Sequence, residues 1–352
     1  MDKKDLMIDR NASILEALSK ITQNGVRELI VVDNFKKLLG VISDGDIRKF
    51  IVKKNNLETS VFRVMNKKPF FIYKEKISLT KLNGIDSNIV SLVPLLNEKK
   101  IVEEIITPKT IRYNFLQNIN DNNVIIMSGG YGKRMHPFTK VLPKALLPVG
   151  KKTLIRIIID NFIKYNFCNI TICVNYKKNF IKNYIESLNY FVNLNYINEK
   201  KSLGTIGGLS LLKPTNNLPI IVVNCDTIIN YNYKKILNFH NKSFSDLTIL
   251  LSKESIQTSY GVCKISNKKV LKEFIEKPTF SFLANIGMYV INQNILNLIP
   301  KNKKFDFNSL VKKIMLKKNY KIMTYTVSNK DYFDFGVWDN FEKSTTEIKK
   351  II

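Results

Sequence analysis

A short run of branched residues that stops on three glycines restricts this chain more than any other feature. Val124-Ile125-Ile126-Met127 is apolar, brief and bounded, which predicts a strand buried on both faces of a parallel sheet. It ends on Ser128-Gly129-Gly130-Tyr131-Gly132, where the backbone can turn sharply and approach a ligand with no Cβ in the way. Lys133 and Arg134 follow at once, and Pro137, Thr139, Pro143-Lys144 and Leu147-Pro148-Val149 stiffen the loop beyond them. Bare amides beside cations, at the carboxyl end of a parallel strand, form a place for phosphate oxygens.

Two other phosphate loops do not fit. The dinucleotide fingerprint needs a third glycine, and Walker A needs a closing G-K-[ST]; neither is present. The whole string G-G-x-G-x-R, P-x-T, P-K, L-P-V resembles the signature of the sugar-1-phosphate nucleotidyltransferases. A glycine turn among incidental lysines would account for the loop but not for the ordered string after it.

The chain has 352 residues, enough for two domains, and a formal charge of +27. Such a charge invites nucleic-acid or membrane partners. Only seven of the 56 basic residues are Arg, however, and none lies beyond Arg156. Surfaces that read bases or clamp phosphates favour the Arg fork, so no nucleic-acid partner is expected, and the excess lysine reads as compositional drift. The start MDKKDLMIDR has no apolar core of a signal peptide, and no run approaches a membrane span. Cys168, Cys173, Cys225 and Cys263 form no C-x-x-C pair, which predicts buried free thiols and, with the rest, a cytoplasmic protein. His136 lies in the key loop and is expected in solvent.

In the first hundred residues, Ser13 and Glu16 form a capping box for a helix closed by Gly25. Strands are predicted over 28–33 and 38–43, and Asp44-Gly45-Asp46 opens a second helix at its positive end. This order, with G-V-I-S-D-G-D-I, is similar to a CBS repeat. Val64-Met65-Asn66-Lys67-Lys68-Pro69 leads into a second copy, with strands over 90–96 and 100–105 but no second S-x-G-D. The CBS resemblance implies Ser43 and Asp46 as ligands of a ribose or phosphate, with an adenine nucleotide as partner; a purely capping role is the alternative. Paired CBS repeats also dimerise, which implies a homo-oligomer.

The fold class implied is α/β: a Rossmann-like nucleotidyltransferase domain, with a mostly parallel sheet and helices on both faces, preceded by a tandem CBS module. The expected boundaries are residues 1–112 for the CBS module, 113–122 for a linker and 123–352 for the nucleotidyltransferase domain. Strand and helix alternate through the last of these. Glu199-Lys200-Lys201-Ser202-Leu203-Gly204-Thr205-Ile206-Gly207 resembles the family's E-x-x-x-L-G-T-x-G, which lines the base and starts a helix. Asp226 follows a second apolar strand, where its carboxylate faces the ligand crevice. Tyr260-Gly261-Val262, Glu276-Lys277-Pro278, Asn285-x-Gly287-x-Tyr289 and Tyr332-x-Asp334-x-Gly336 match further family motifs, the last with Tyr332 in place of Trp. Trp338 reads as a packed residue at a helix start.

The resemblance implies Mg²⁺-dependent transfer from NTP to a sugar 1-phosphate with release of pyrophosphate. Arg134, Lys144 and Asp226 would be catalytic, and Asp226 and Asp334 would hold Mg²⁺. Met127, Ser128, Gly129, Gly130, Gly132, Lys133, Glu199 and Gly204 would bind the nucleotide. Gly261, Glu276, Lys277 and Asn285 would bind the sugar phosphate. A CBS pair ahead of such an enzyme resembles bacterial guanylyltransferases acting on hexosamine 1-phosphates for legionaminic-type sugars, which implies GTP and glucosamine 1-phosphate. A catalytically inactive sugar-nucleotide sensor, a UTP, CTP or dTTP enzyme and a mannose-1-phosphate guanylyltransferase stay open at this point.

Overall fold

The computed structural model describes residues 3–53, 56–77, 81–82, 91–106, 119–188, 190, 192–213, 216–317 and 319–348. Val90, residues 107–112 of the expected CBS module and residues 113–118 of the expected linker lie outside them. The chain divides into two compact units, Met1–Ile119 with Asn189–Phe191, and Asn120–Leu188 with Val192–Ile352.

The first unit repeats one pattern twice. Strand β1 (Met7–Asp9) pairs parallel with β2 (Glu28–Val32), and β2 pairs antiparallel with β3 (Leu38–Ser43). Likewise β4 (Ile72–Tyr73) runs parallel to β5 (Val93–Leu96), which pairs antiparallel with β6 (Val102–Ile106). The two hairpin turns also match. Asp33 Oδ1 accepts from the amides of Phe35 and Lys37, and Asn97 Oδ1 accepts from those of Lys99 and Ile101. Lys36 and Lys100 take the same left-handed conformation, at φ 61° and 62°. The helix Ile14–Asn24 carries the expected Ser13–Glu16 capping box and ends on Gly25 at φ 61°. Its buried Ile14, Ala17 and Ile21 pack on Leu29, Val31, Ile42 and Ile47.

The second unit is built on one seven-stranded sheet. Its order is β11-β10-β7-β12-β17-β14-β18, with β7 at Asn120–Ser128, β10 at Phe167–Val174, β11 at Asn193–Asn198, β12 at Ile220–Asn224, β14 at Leu247–Gln257, β17 at Thr279–Ile291 and β18 at Ile322–Val327. The other short strands are β8 (Pro148–Val149), β9 (Lys152–Thr153), β13 (Thr227–Ile229), β15 (Val262–Ile265), β16 (Leu271–Ile275) and β19 (Tyr332–Asp334). All neighbours in the large sheet pair parallel except β17, which runs antiparallel to both β12 and β14. Chain order runs outward from β7 through β10 to β11, then returns to β12 on its other side. That reversal opens a crevice beyond the carboxyl ends of β7 and β12, where α/β sheets take ligands.

The strand β7 begins at Asn120, ahead of its apolar run, because Asn120 and Asn123 already pair with Phe167 and Asn169 of β10. Val124, Ile125 and Ile126 are fully buried. The apolar stripe of the helix Leu154–Lys164 closes one face of the sheet, with Phe162 stacked on Tyr233 at 4.3 Å. On the other, Ile125, Val222 and Tyr289 share a core with Phe307 and Leu310 of the helix Phe307–Met315. After Gly204 the chain forms only a 3-10 turn, Gly207–Leu211, rather than the expected helix. Two successive glycines at its start weaken any longer helix there. No helix among the described residues is long and apolar enough to cross a membrane.

His240 sits in the sheet's flank, 1% exposed, with Nδ1 2.8 Å from Thr248 Oγ1 and Nε2 3.0 Å from Asn292 Oδ1. Burial holds its imidazole below the ordinary value, so the folded chain keeps it neutral. As pH falls below about 6.5, the unfolded chain takes up a proton that the fold refuses. Stability is therefore intact above that pH and declines below it. The urea midpoint should drop between neutral pH and pH of about 5.5, and His240→Gln should flatten that drop.

Candidate active site

The glycine loop is held open by its own neighbours. Gly132 has φ +64°, and a Cβ there would lie 2.9 Å from Thr139 Cγ2. Thr139, fully buried, donates from Oγ1 to the Gly132 carbonyl at 2.9 Å. The threonine of the P-x-T stretch thus pins the turn, and Lys144 enters on the 3-10 turn that follows Pro143.

A cavity of about 350 Å³ opens over this loop. Met127, Gly129, Gly130, Gly132, Lys133, Arg134, Lys144, Glu199, Gly204 and Asp226 line it. The structure therefore gathers ten of the eleven residues named for the nucleotide or for catalysis. Ser128 is buried at the end of β7 and does not line the cavity. His136 is exposed and lies outside it.

Lys144 is only 8% exposed and ties three distant segments together. Its Nζ donates to Asp226 Oδ2 at 2.5 Å and to the Gly336 carbonyl at 3.1 Å. Asp226 and Asp334 are neighbours through their backbones. Thr227 pairs with Asp334 across β13 and β19, and the Phe335 amide donates to the Asp226 carbonyl at 2.9 Å. Asp334 accepts from the Gly336 amide at 2.7 Å and from Asn340 Nδ2 at 2.5 Å. Burial, then the charges of Asp334, Asp226 and Glu254, push the Tyr332 phenol up.

This donor set fits a hard divalent cation. Asp226 stands just before β13 and Asp334 ends β19, which pairs with β13, and Asp226 Oδ1 accepts no hydrogen bond among the described residues. Oxygen ligands completed by water and phosphate are what Mg²⁺ takes.

Glu199 lines the cavity beside Gly129. It is 4% exposed; Oε2 accepts from the Leu203 amide at 3.1 Å, while Oε1 has no partner among the described residues. Burial pushes its carboxyl up, against the smaller opposing effect of the Leu203 amide. A Cβ on Gly208 would stand 2.4 Å from Oε1, and one on Gly129 2.9 Å from Oε2, so both glycines make room for this carboxylate. Gly204 has φ +85° and lies against the Phe305 carbonyl.

A second cavity, of about 800 Å³, holds Asp334 and Asn285 with Glu254, Tyr332 and Lys343 among its walls. Asn285 is committed to its own strand, where Oδ1 accepts from the Gly287 amide and Nδ2 donates to the Tyr289 hydroxyl, both at 3.0 Å. Gly261, Glu276 and Lys277 line neither cavity and belong to an exposed ribbon. There Gly261 lies beside Glu276, whose Oε2 would be 3.0 Å from a Cβ on that glycine. Trp338 starts the helix Trp338–Ile348, half exposed, and stacks on Phe138 at 4.7 Å and on Phe341 at 5.5 Å.

Asp306 is a cavity residue that the motifs did not mark. It precedes the helix Phe307–Met315 and accepts from the Thr205 amide at 3.0 Å, while Thr205 Oγ1 accepts from the Phe307 amide at 2.8 Å. The helix-start pattern of Asp306 is legible locally; its partner, about a hundred residues earlier, is not. In the first unit, Ser43 and Asp46 complete a full capping box, with Ser43 Oγ donating to Asp46 Oδ2 at 2.7 Å and accepting from the Asp46 amide at 3.1 Å. Cys168 and Cys173 are buried as expected, whereas Cys263 is exposed on the ribbon.

The sequence profile of the family described as Nucleotidyl transferase matches residues 123–351, and that of the CBS domain matches residues 1–53. Among curated proteins, the mannose-1-phosphate guanyltransferase of Yarrowia lipolytica is 32% identical over 187 residues, covering 50% of this chain and 50% of its own. That of Saccharomyces cerevisiae is 30% identical over 185 residues, covering 50% and 51%. The chain thus spans about half the length of the curated relatives it matches. Among solved structures, HddC from Yersinia pseudotuberculosis superposes with a TM-score of 0.51 at 21% identity, over 64% of this chain and 99% of that one. A UDP-glucose pyrophosphorylase complexed with UDP-glucose gives 0.51 at 19% identity, over 66% and 100%. These two likenesses show the fold.

Proposed function

Because the chain belongs to the Nucleotidyl transferase family, we propose that its second unit joins a nucleoside monophosphate, taken from GTP, to a sugar 1-phosphate and releases pyrophosphate. The observation that carries this reading is the single cavity in which Gly129, Gly130, Gly132, Arg134, Lys144, Glu199 and Asp226 meet. The sugar 1-phosphate oxygen attacks the α-phosphorus in line, and the pyrophosphate oxygen leaves from the opposite side. No side chain forms a bond, so the work is positioning and charge neutralisation. The loop amides receive the phosphates, Arg134 faces the charge that builds on the α-phosphate and the leaving group, and Lys144 fixes Asp226. Asp226 and Asp334 would hold Mg²⁺, which when bound neutralises phosphate charge.

Glu199 supports guanine as the base. An acceptor-only carboxylate with an unpaired oxygen suits the adjacent N1–H and 2-amino donors of guanine. The edge of uracil offers one N–H between two carbonyls. We take glucosamine 1-phosphate as the acceptor, for surface-glycan or nonulosonic acid synthesis. Mannose 1-phosphate is the second reading, favoured by the names of the relatives. The repeated pattern of β1–β3 and β4–β6 supports a tandem CBS module as a separate domain. There an adenine nucleotide would have to displace the Ser43–Asp46 cap to use those side chains.

The test is a grid of four NTPs against several sugar 1-phosphates in Mg²⁺, read by pyrophosphate release, with and without adenine nucleotides. GTP should lead. Glu199→Gln, which places a donor where guanine also donates, should lower the GTP preference over UTP by about tenfold or more. No pyrophosphate from any pair would overturn the enzymatic reading in favour of a sugar-nucleotide sensor.

A further inference from the structure

Asn340 lines the second cavity together with Asp334, and no motif marks it. It lies in the first turn of the helix Trp338–Ile348 and is exposed. Side chains of a helix lean toward its N-terminus, and this one reaches back six residues to donate to Asp334 Oδ2. One turn later Ser344, which is buried, donates from Oγ to the main-chain carbonyl of Asp334 at 2.9 Å. Residues four apart share one face of a helix. That face therefore grips Asp334 twice, at its carboxylate and at its backbone. The same helix is seated on the glycine loop as well. Its first residue, Trp338, stacks on Phe138, the neighbour of the Thr139 that pins Gly132.

Turn chemistry does not account for the Asn340 contact. The bond from the Gly336 amide to Asp334 Oδ1 spans two residues, as in an Asx turn, and makes no use of Oδ2. Asn is also among the weaker helix formers, so its place in the helix needs another reason. The charge of the donor supplies one. Asp226 is held by a cation, Lys144. Asp334 is held by a main-chain amide and a carboxamide, both neutral, and makes no ion pair among the described residues. A neutral donor orients a carboxylate without cancelling its charge, and each oxygen keeps a lone pair after accepting one hydrogen bond. A lysine in this place would compete with a divalent cation, and an acidic residue would repel Asp334. We infer that Asn340 is a positioning residue that holds the Asp334 carboxylate in the orientation a metal requires. This role rests on the reading of Asp334 as a Mg²⁺ ligand. Carboxylates that ligate metals are themselves hydrogen-bonded, and loss of such a partner weakens metal affinity by about tenfold to a hundredfold.

Mn²⁺ is the probe, added to the full chain without nucleotide, its free fraction read from the electron paramagnetic resonance signal of the hydrated ion. Asn340→Ala should weaken Mn²⁺ binding by about tenfold or more and leave the melting curve unchanged, because the residue is exposed. Asn340→Leu keeps the volume and loses the donor. It should bind as poorly as Asn340→Ala, which a packing role would not produce. Thr346→Ala removes a hydroxyl that bonds within the helix, to the Glu342 carbonyl, and should bind as the parent does. In pyrophosphate release, both Asn340 variants should need about tenfold more Mg²⁺ for half the maximal rate and recover most of that rate at saturation. Parental Mn²⁺ affinity in Asn340→Ala or in Asn340→Leu, an equal loss in Thr346→Ala, or a rate depressed equally at every Mg²⁺ concentration would each overturn the positioning role. Asp334→Ala separates the two levels. If it binds Mn²⁺ as the parent does, Asp334 is no ligand and the metal reading itself falls. If it binds weakly while Asn340→Ala binds as the parent does, only the role of Asn340 falls.

Discussion

Arg134→Ala should cut pyrophosphate release by about a hundredfold or more while leaving thermal unfolding unchanged. The two halves of that expectation have separate causes. Arg134 is exposed, lines the cavity, and has no hydrogen bond or ion pair among the described residues. Its removal leaves no buried group unpaired, so the fold loses nothing. A fixed cation aimed at developing charge is nevertheless worth about two to three powers of ten in turnover when it is removed. Arg134→Lys should recover only part, since a point charge does not replace a planar fork on phosphate oxygens. Steady-state kinetics beside a melting curve would check both halves. Full turnover in Arg134→Ala would remove this residue from the chemistry.

Asp226→Ala should lose both activity and stability. Asp226 accepts from Lys144 at 2.5 Å, and the Lys144 side chain is 8% exposed. Deleting the carboxylate strands a buried ammonium whose remaining partner is the Gly336 carbonyl. Breaking one half of a buried pair costs roughly 3 kcal/mol or more. Asp226→Asn keeps a hydrogen-bond acceptor for Lys144 and should recover much of the stability. It should recover little of the turnover, because an amide is a poor ligand for Mg²⁺ beside phosphate. Urea titrations of the three proteins, with pyrophosphate release measured on each, would separate the two losses. Equal stability of Asp226→Ala and the parent would mean that the Lys144 contact contributes little.

Much of the second unit could be read from local pattern. The apolar run before Gly129 set the central strand, and the alternation of strand and helix pointed to the mostly parallel sheet that the structure shows. Asp226 fell at a strand end because an apolar strand stops there. The site's remaining residues depend on distance along the chain. Asp306 reaches the cavity through Thr205, and Glu199 owes its space to Gly129 and Gly208; no window of the sequence shows either relation. The Glu276-Lys277-Pro278 turn was legible as a motif, yet its place on an exposed ribbon was not, since a motif's order along the chain does not give its position in space. Ser43 and Asp46 show the converse. Their three-residue spacing already carried the capping geometry that the structure displays in full.

The lysine that bridges Asp226 and the Gly336 carbonyl has a consequence for biosynthesis. Its two partners lie 82 and 192 residues further along the chain. A polypeptide still leaving the ribosome holds the glycine loop long before it holds the segment from Asp334 to Gly336, and domains mature as units during translation. Until that last segment docks, the ammonium group has only half its anchorage, so the loop and its lysine are fixed in place only once the end of this unit has been made.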